Sequence, residues 1–347
     1  YDPPDFDVIQ KFVEMFETWG MDCMHSLGSV WDLYAQDTIM DRSVIRSWDN
    51  WDVTIDRQRE GDERLTTVTI RTPDGELKHV EITNRQSRYL IVSAIQEHLI
   101  KTPSDFDILR KYAPPPDFMD CRLISRAREA VGENGIVASC TNGVFNTAGR
   151  IFRKLENLFV DPMIDEVFYR EMMDYFTDQL IKRFKIMVGN GADVIEIAAN
   201  LATSSVGPDF FKQHVQPYES RLMDAVHEAG GLTLYHNCGD ANTIMHLYND
   251  MPIDCWGYVV GPPYADVDLD TALEVMRPDM ALRGNIDQVS FLREASPQEV
   301  DEAVRVLLEK VKPRGNWILS TSDFFFDGTP YINIEAFVKA GRKYGQY

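Results

Sequence analysis

From Val131 to the end of the chain, short apolar runs alternate with stretches of helical periodicity, and that alternation leaves few folds open. Residues 135–141 (GIVASCT), 191–199, 231–236, 255–260, 280–283 and 317–321 read as strands. Between and around them, residues 150–158, 163–187, 209–229, 242–249, 268–276, 296–311 and 332–344 read as helices. Strands that are apolar on both faces, separated by helices, form parallel sheets covered on each side. The chain of 347 residues has enough material for a large core, and α/β barrels well beyond ~200 residues form one unit. A single domain over residues 1–347 is therefore expected.

Residues 46–84 have a different texture. Polar and apolar residues alternate around Val68, Ile70, Val80 and Ile82, on either side of a turn containing Pro73, Asp74 and Gly75. This predicts a β-hairpin inserted into the α/β chain. The net charge of −20 repels nucleic acid and anionic membranes, so neither is an expected partner. The longest apolar runs, such as residues 89–95, are far shorter than a membrane span. Five scattered cysteines, an odd number, read as free thiols in a reducing compartment, and the expected location is cytoplasmic. The chain opens on Tyr1 rather than Met, so it is expected to lack some N-terminal residues.

In a barrel of strand–helix units, chemistry gathers where strands end. The sharpest signal there is YHNCGD, residues 235–240. In extended backbone His236 and Cys238 point to one side, and imidazole with thiolate suits a zinc ion; a buried thiol beside a structural histidine is the alternative. Glu196 stands inside a buried strand and needs a metal, a proton or an arginine there. Directly after another strand, Gly284 allows close backbone approach, Asn285 is a candidate substrate contact, and Asp287 can cap the next helix. Asn142 and Asn200 occupy two further strand ends as candidate substrate-binding residues. After the last strand, Ser320–Asp323 precede Phe324, Phe325 and Phe326. Adjacent aromatics in a loop line a pocket or cover an interface, so a substrate wall and a homodimer contact both remain open.

The order of these pieces resembles one family. The run from GADVIEIAA through YHNCGD, then LRGNIDQ, SPQEVDEAV and DGTPYINIEAFVKAGRKYG, is similar to the uroporphyrinogen decarboxylase superfamily. The resemblance implies an α/β fold, a (β/α)8 TIM barrel, with a first strand and an arginine-bearing loop ahead of the point where this chain begins. The H-x-C-G form at His236–Gly239 resembles the branch of corrinoid-dependent methyltransferases. There the His and Cys are zinc ligands, joined by a second Cys six residues before a Thr-Pro pair; that position here is Asp323. The resemblance thus implies zinc at His236, Cys238 and Asp323; Asp323 and the strand-buried Glu196 are the candidate catalytic carboxylates. It also implies a methyl group moving between a small methylated substrate (methoxy or methylamine type) and cobalamin on a separate corrinoid protein. A porphyrinogen decarboxylase and a non-catalytic binding barrel are the rival readings.

Overall fold

The computed structural model describes residues 7–27, 47–85, 91–116, 120–326 and 328–346. Seven parallel strands form one sheet in the order β1 (Cys23–Leu27), β6 (Gly135–Asn142), β7 (Val194–Ala198), β8 (Leu232–His236), β9 (Cys255–Gly257), β10 (Ala281–Ile286) and β11 (Trp317–Thr321). Every hydrogen-bonded pair along that series is parallel. The sheet curls until its ends approach. Arg283 of β10 reaches across to the Met24 sulfur of β1 at 3.8 Å. Outside, Trp19 at the end of helix α1 (Val8–Trp19) stacks on Tyr331 at the start of the last helix, with ring centroids 6.4 Å apart. Arg342 of that helix donates to the Gly20 carbonyl. The architecture is the barrel-like α/β fold expected, with seven of its strands among the described residues.

Strand alternation sorts the side chains into two populations. Val137, Ile195, Ile197, Tyr235, Trp256 and Leu282 face outward into the main core beneath the helices. Ala138, Val194, Leu234 and Cys255 face inward, with Met24 and Ala281 against them, and close the floor of the barrel as a separate apolar cluster. The next inward positions up β6, β7, β8 and β10 are Cys140, Glu196, His236 and Arg283.

After α2 (Pro103–Tyr112) and α3 (Arg122–Val131), helix boundaries follow local chemistry. The helices expected over residues 150–158 and 163–187 are α4 (Leu155–Ile164) and α5 (Glu166–Gly189), with the break between them falling at Asp165. Asp165 breaks the run because its side chain accepts from the Phe168 N–H and starts a new helix. Ser296 and Glu299 form a reciprocal capping box before α8 (Pro297–Val311), numbered after α6 (Gln216–Glu228) and α7 (Leu269–Val275). The helix expected at 242–249 is instead a 3-10 stretch, Met245–Asp250.

The inserted hairpin is larger than expected. It is a four-stranded antiparallel meander of β2 (Asp52–Glu60), β3 (Glu63–Thr72), β4 (Gly75–Arg85) and β5 (Ile91–Glu97). The turn between β3 and β4 lies where Pro73, Asp74 and Gly75 foretold it, with Thr72 opposite Gly75. The apolar run at residues 89–95, too short for a membrane span, overlaps β5. Val68, Ile70 and Leu77 of this sheet are fully buried in the same core as the barrel. Just past β5, the Ile100 N–H donates to the Phe152 carbonyl at 2.9 Å, fixing the sheet to the segment that follows β6. The strand beside β6 is also within this chain, at Cys23–Leu27. CMHSL has neither a run nor an alternation of apolar residues, so periodicity did not reveal it.

Candidate functional site

Above the apolar floor, β6, β7 and β8 bring three polar side chains together. Cys140 and Glu196 are register partners on adjacent strands, and His236 stands one step higher, beside Ala198. His236 Nδ1 lies 2.6 Å from Glu196 Oε1, with the carboxylate 5% and the imidazole 14% exposed. Burial pushes the Glu196 carboxyl up. The hydrogen bond and charge of His236, with the charge of Arg283, outweigh it and leave it below the usual carboxylate value. Burial likewise works against a charged His236, but contacts with Cys140, Cys238 and Glu196 raise it instead. His236 Nε2, the other ring nitrogen, is buried with no hydrogen-bond partner among the described residues.

Two more donors converge on that histidine. Ligand atoms of His236, Cys238 and Asp323 all lie within 4.8 Å of one another, as do those of Cys140, Glu196 and His236. The first of these is the set expected from sequence. Burial pushes the Asp323 carboxyl up, against the charge of His236.

His236 and Cys238 share a side because Asn237, between them, is tied the other way. Its Nδ2 donates to the Ala202 carbonyl and to the Tyr248 hydroxyl, at 3.2 and 2.8 Å. Its Oδ1 accepts the Gly239 N–H at 3.1 Å. Tyr258 presents its ring edge-on to His236, with centroids 4.8 Å apart, and Arg283 lies over the Tyr258 ring at 4.4 Å.

A buried histidine with one nitrogen held by a carboxylate and the other free, beside a thiol and a second carboxylate, is a metal-ligand arrangement. Residues 90–344 match the family model described as uroporphyrinogen decarboxylase (URO-D). The chain belongs to the uroporphyrinogen decarboxylase family. It is 24% identical over 254 residues to the methylcobamide:CoM methyltransferase MtbA of Methanosarcina acetivorans, covering 72% of this chain and 71% of that protein. It is 29% identical over 177 residues to MtaA of Methanosarcina barkeri, also a methylcobamide:CoM methyltransferase, covering 51% and 49%. Among solved structures, a methyltransferase from Methanosarcina mazei superimposes with a TM-score of 0.63 at 20% identity, over 76% of this chain and 75% of that one. A B12-independent methionine synthase from Shewanella sp. W3-18-1 gives 0.53 at 12% identity, over 97% and 86%. Within the family, the chain sits on its methyltransferase side. No helix among the described residues is long and apolar enough to cross a membrane.

The other candidate residues of this family member surround the site more loosely. Asn142 ends β6 opposite Ala198, half-buried. Asn200 is held by Asn146, whose Nδ2 donates to its Oδ1 at 2.7 Å while its own Oδ1 accepts the Leu201 N–H at 3.0 Å. Asn285 pairs with Ser320 on the same side of β10 as Arg283. Asp287 is a helix cap: its carboxylate accepts N–H groups of Val289, Ser290 and Phe291. Phe324 is 59% and Phe325 37% exposed. Phe324 stacks on Phe326, and Phe325 meets Phe337 edge-on. These rings form an open rim rather than an enclosed wall.

Sequence reading missed Cys140, Tyr258 and Arg283. Cys140 has the same strand parity as Asn142, so following that parity down from the strand end leads to it. Arg283 was left inside a strand, where an arginine reads as a misfit rather than as the cation opposite Glu196.

Proposed function

We propose that this chain is a corrinoid-dependent methyltransferase. It moves a methyl group between a small methylated substrate, of methoxy or methylamine type, and cobalamin carried on a separate corrinoid protein. Zinc would be held by His236, Cys238 and Asp323. The observation that carries this reading is a buried His236 whose Nδ1 is fixed by Glu196, whose Nε2 has no hydrogen-bond partner among the described residues, and beside which two further donors gather.

The donor types fit zinc, which takes imidazole, thiolate and carboxylate together. When bound, zinc acts as a Lewis acid on the heteroatom that carries the methyl group. The protein residues do the rest. Glu196 sets the histidine tautomer and ring orientation, so that Nε2 is the ligating nitrogen. The ties of Asn237 keep Cys238 from turning away. Asp323 supplies a harder donor where the family resemblance places a thiolate, which favours polarising an ether or amine over activating a thiol. Asn142, Asn200 and Asn285 offer amide groups at the strand ends to orient a small polar substrate. Phe324 and Phe325 supply apolar surface at the rim that excludes water once a substrate or corrinoid partner covers it. Porphyrinogen decarboxylation fits poorly, because Glu196 and Asp323 would confront the substrate's own carboxylates.

The test is to incubate the zinc-loaded protein with reduced cobalamin and a panel of methoxylated aromatics and methylamines, following methyl–cobalt formation by visible absorption. Methyl transfer from at least one donor, lost in His236→Ala, is expected. No transfer from any of them, or transfer that persists in His236→Ala, would refute the assignment.

A further inference from the structure

We propose that Cys140 is a second thiolate ligand of the metal held at His236. This rests on the zinc reading above but goes beyond the ligand set implied by the family pattern. In that pattern the second thiolate comes from the loop after the last strand, where this chain has Asp323. A thiol instead reaches the same histidine from the opposite side of the site, on β6. The Cys140 sulfur, a Glu196 oxygen and a His236 ring nitrogen all lie within 4.8 Å of one another. This triplet shares only His236 with the Cys238–Asp323 triplet. Cys140 is grouped with neither Cys238 nor Asp323 within 4.8 Å, so one ion takes all four donors only after a side-chain rotation at Cys140 or Cys238.

Comparison with Cys255 shows that Cys140 is not simply a small apolar filler. Both are inward-facing cysteines of the same barrel, and neither is in a disulfide. Cys255 lies in the apolar floor with Ala138, Val194 and Leu234. Cys140 lies one step higher, register-paired with a carboxylate and next to an imidazole. Buried thiols used only for packing belong in surroundings like those of Cys255. With Cys140 included, the donors are one nitrogen, two sulfurs and one carboxylate oxygen, a full tetrahedral set for zinc. Three of these ligands sit on or directly after the strands β6 and β8. Asp323 alone comes from the loop after β11 and is the hard donor of the set. It is therefore the ligand a substrate heteroatom would replace, leaving His236, Cys238 and Cys140 in place.

Zinc-edge X-ray absorption of the wild-type protein counts the sulfur ligands directly and does not depend on any variant folding. Two sulfur scatterers at about 2.3 Å are expected. A single sulfur would overturn the proposal. In the Co(II)-substituted protein, Cys140→Ser and Cys238→Ser should each remove about half of the thiolate-to-metal charge-transfer absorption. Each should also weaken zinc binding at least roughly tenfold, since even residues behind the ligands cost that much. If Cys140→Ser keeps the full band and affinity while Cys238→Ser loses both, Cys140 is not a ligand and the proposed function stands. If wild-type protein takes up neither zinc nor Co(II), this inference and the zinc reading fail together.

Discussion

Two layers of the barrel interior, one step apart along the same strands, are built from opposite chemistry. In the lower layer Ala138, Val194, Leu234 and Cys255 form an apolar cluster. In the upper layer, two residues further along β6, β7 and β8, stand Cys140, Glu196 and His236, with Arg283 on β10. Strand periodicity puts both layers on one axis, so the floor seals the polar layer from below. The lower layer contributes stability by excluding water. The upper layer spends stability: a carboxylate and an imidazole are held out of water, where their mutual contact, the Arg283 charge and the two cysteines beside His236 offset desolvation. A functional ring above a hydrophobic plug separates folding from chemistry, and substitutions should separate in the same way.

The largest effect on folding is expected in the floor. Leu234→Ala removes a nearly fully buried side chain and should cost about 2–5 kcal/mol. Chemical denaturation measures this, and zinc bound per folded molecule should not change. Loss of metal in the folded fraction would mean that the two layers are not separable.

Glu219 of α6 provides a contrast to Glu196. It is fully buried, and its oxygen Oε1 accepts the Phe145 N–H at 3.1 Å while Oε2 has no hydrogen-bond partner among the described residues. Burial raises it from 4.5 to about 7, opposed by backbone N–H groups of Phe145 and Val144. A carboxyl whose folded value is raised contributes stability that is full below pH 4.5 and is lost as pH rises through 7. That loss is on the order of 3 kcal/mol. Glu219→Gln should therefore melt at a higher temperature than wild type at pH 8.5, with the difference vanishing at pH 4.5. Equal gains at both pH values would mean that the carboxyl does not titrate as its burial implies. Gly143 leaves room for this carboxylate: a Cβ there would lie 2.5 Å from Oε2, so Gly143→Ala should displace the segment after Asn142.

A smaller effect is expected at the carboxylate behind the histidine. Glu196→Gln keeps the shape but loses the charge on Nδ1, and should weaken zinc binding by roughly 10- to 100-fold. Unchanged affinity, by competition with a chromophoric chelator, would make Glu196 a purely structural partner of His236. The smallest effect is expected at the rim. Phe325→Ala should leave stability within about 0.5 kcal/mol and lower kcat/KM by less than roughly tenfold. A split oligomer with unaltered turnover would instead make this ring an interface residue.

The strands of the parallel sheet and the shared side of His236 and Cys238 could be read from sequence, because strand parity and strand–helix alternation are local signals; Asp323 joined them only through the family resemblance. β1 and the full extent of the inserted sheet could not. Five residues of CMHSL carry no period, and residues 89–95 form an apolar run with no alternation to mark a strand edge. Cys140 escaped for a different reason. Its role depends on which strands are neighbours, and a single thiol on β6 says nothing until β7 and β8 place a carboxylate and an imidazole beside it. The phenylalanines were legible as an unusual cluster, but exposure is a tertiary property, and the sequence alone left a substrate wall and an interface both open.

The most direct test pairs zinc content with methyl–cobalt formation in wild type, His236→Ala and chelator-treated wild type. The account predicts about one zinc per wild-type chain. It predicts methyl transfer that falls in proportion to zinc removed and returns when zinc is restored, and neither zinc nor transfer in His236→Ala. Full methyl transfer by protein stripped of metal would contradict it.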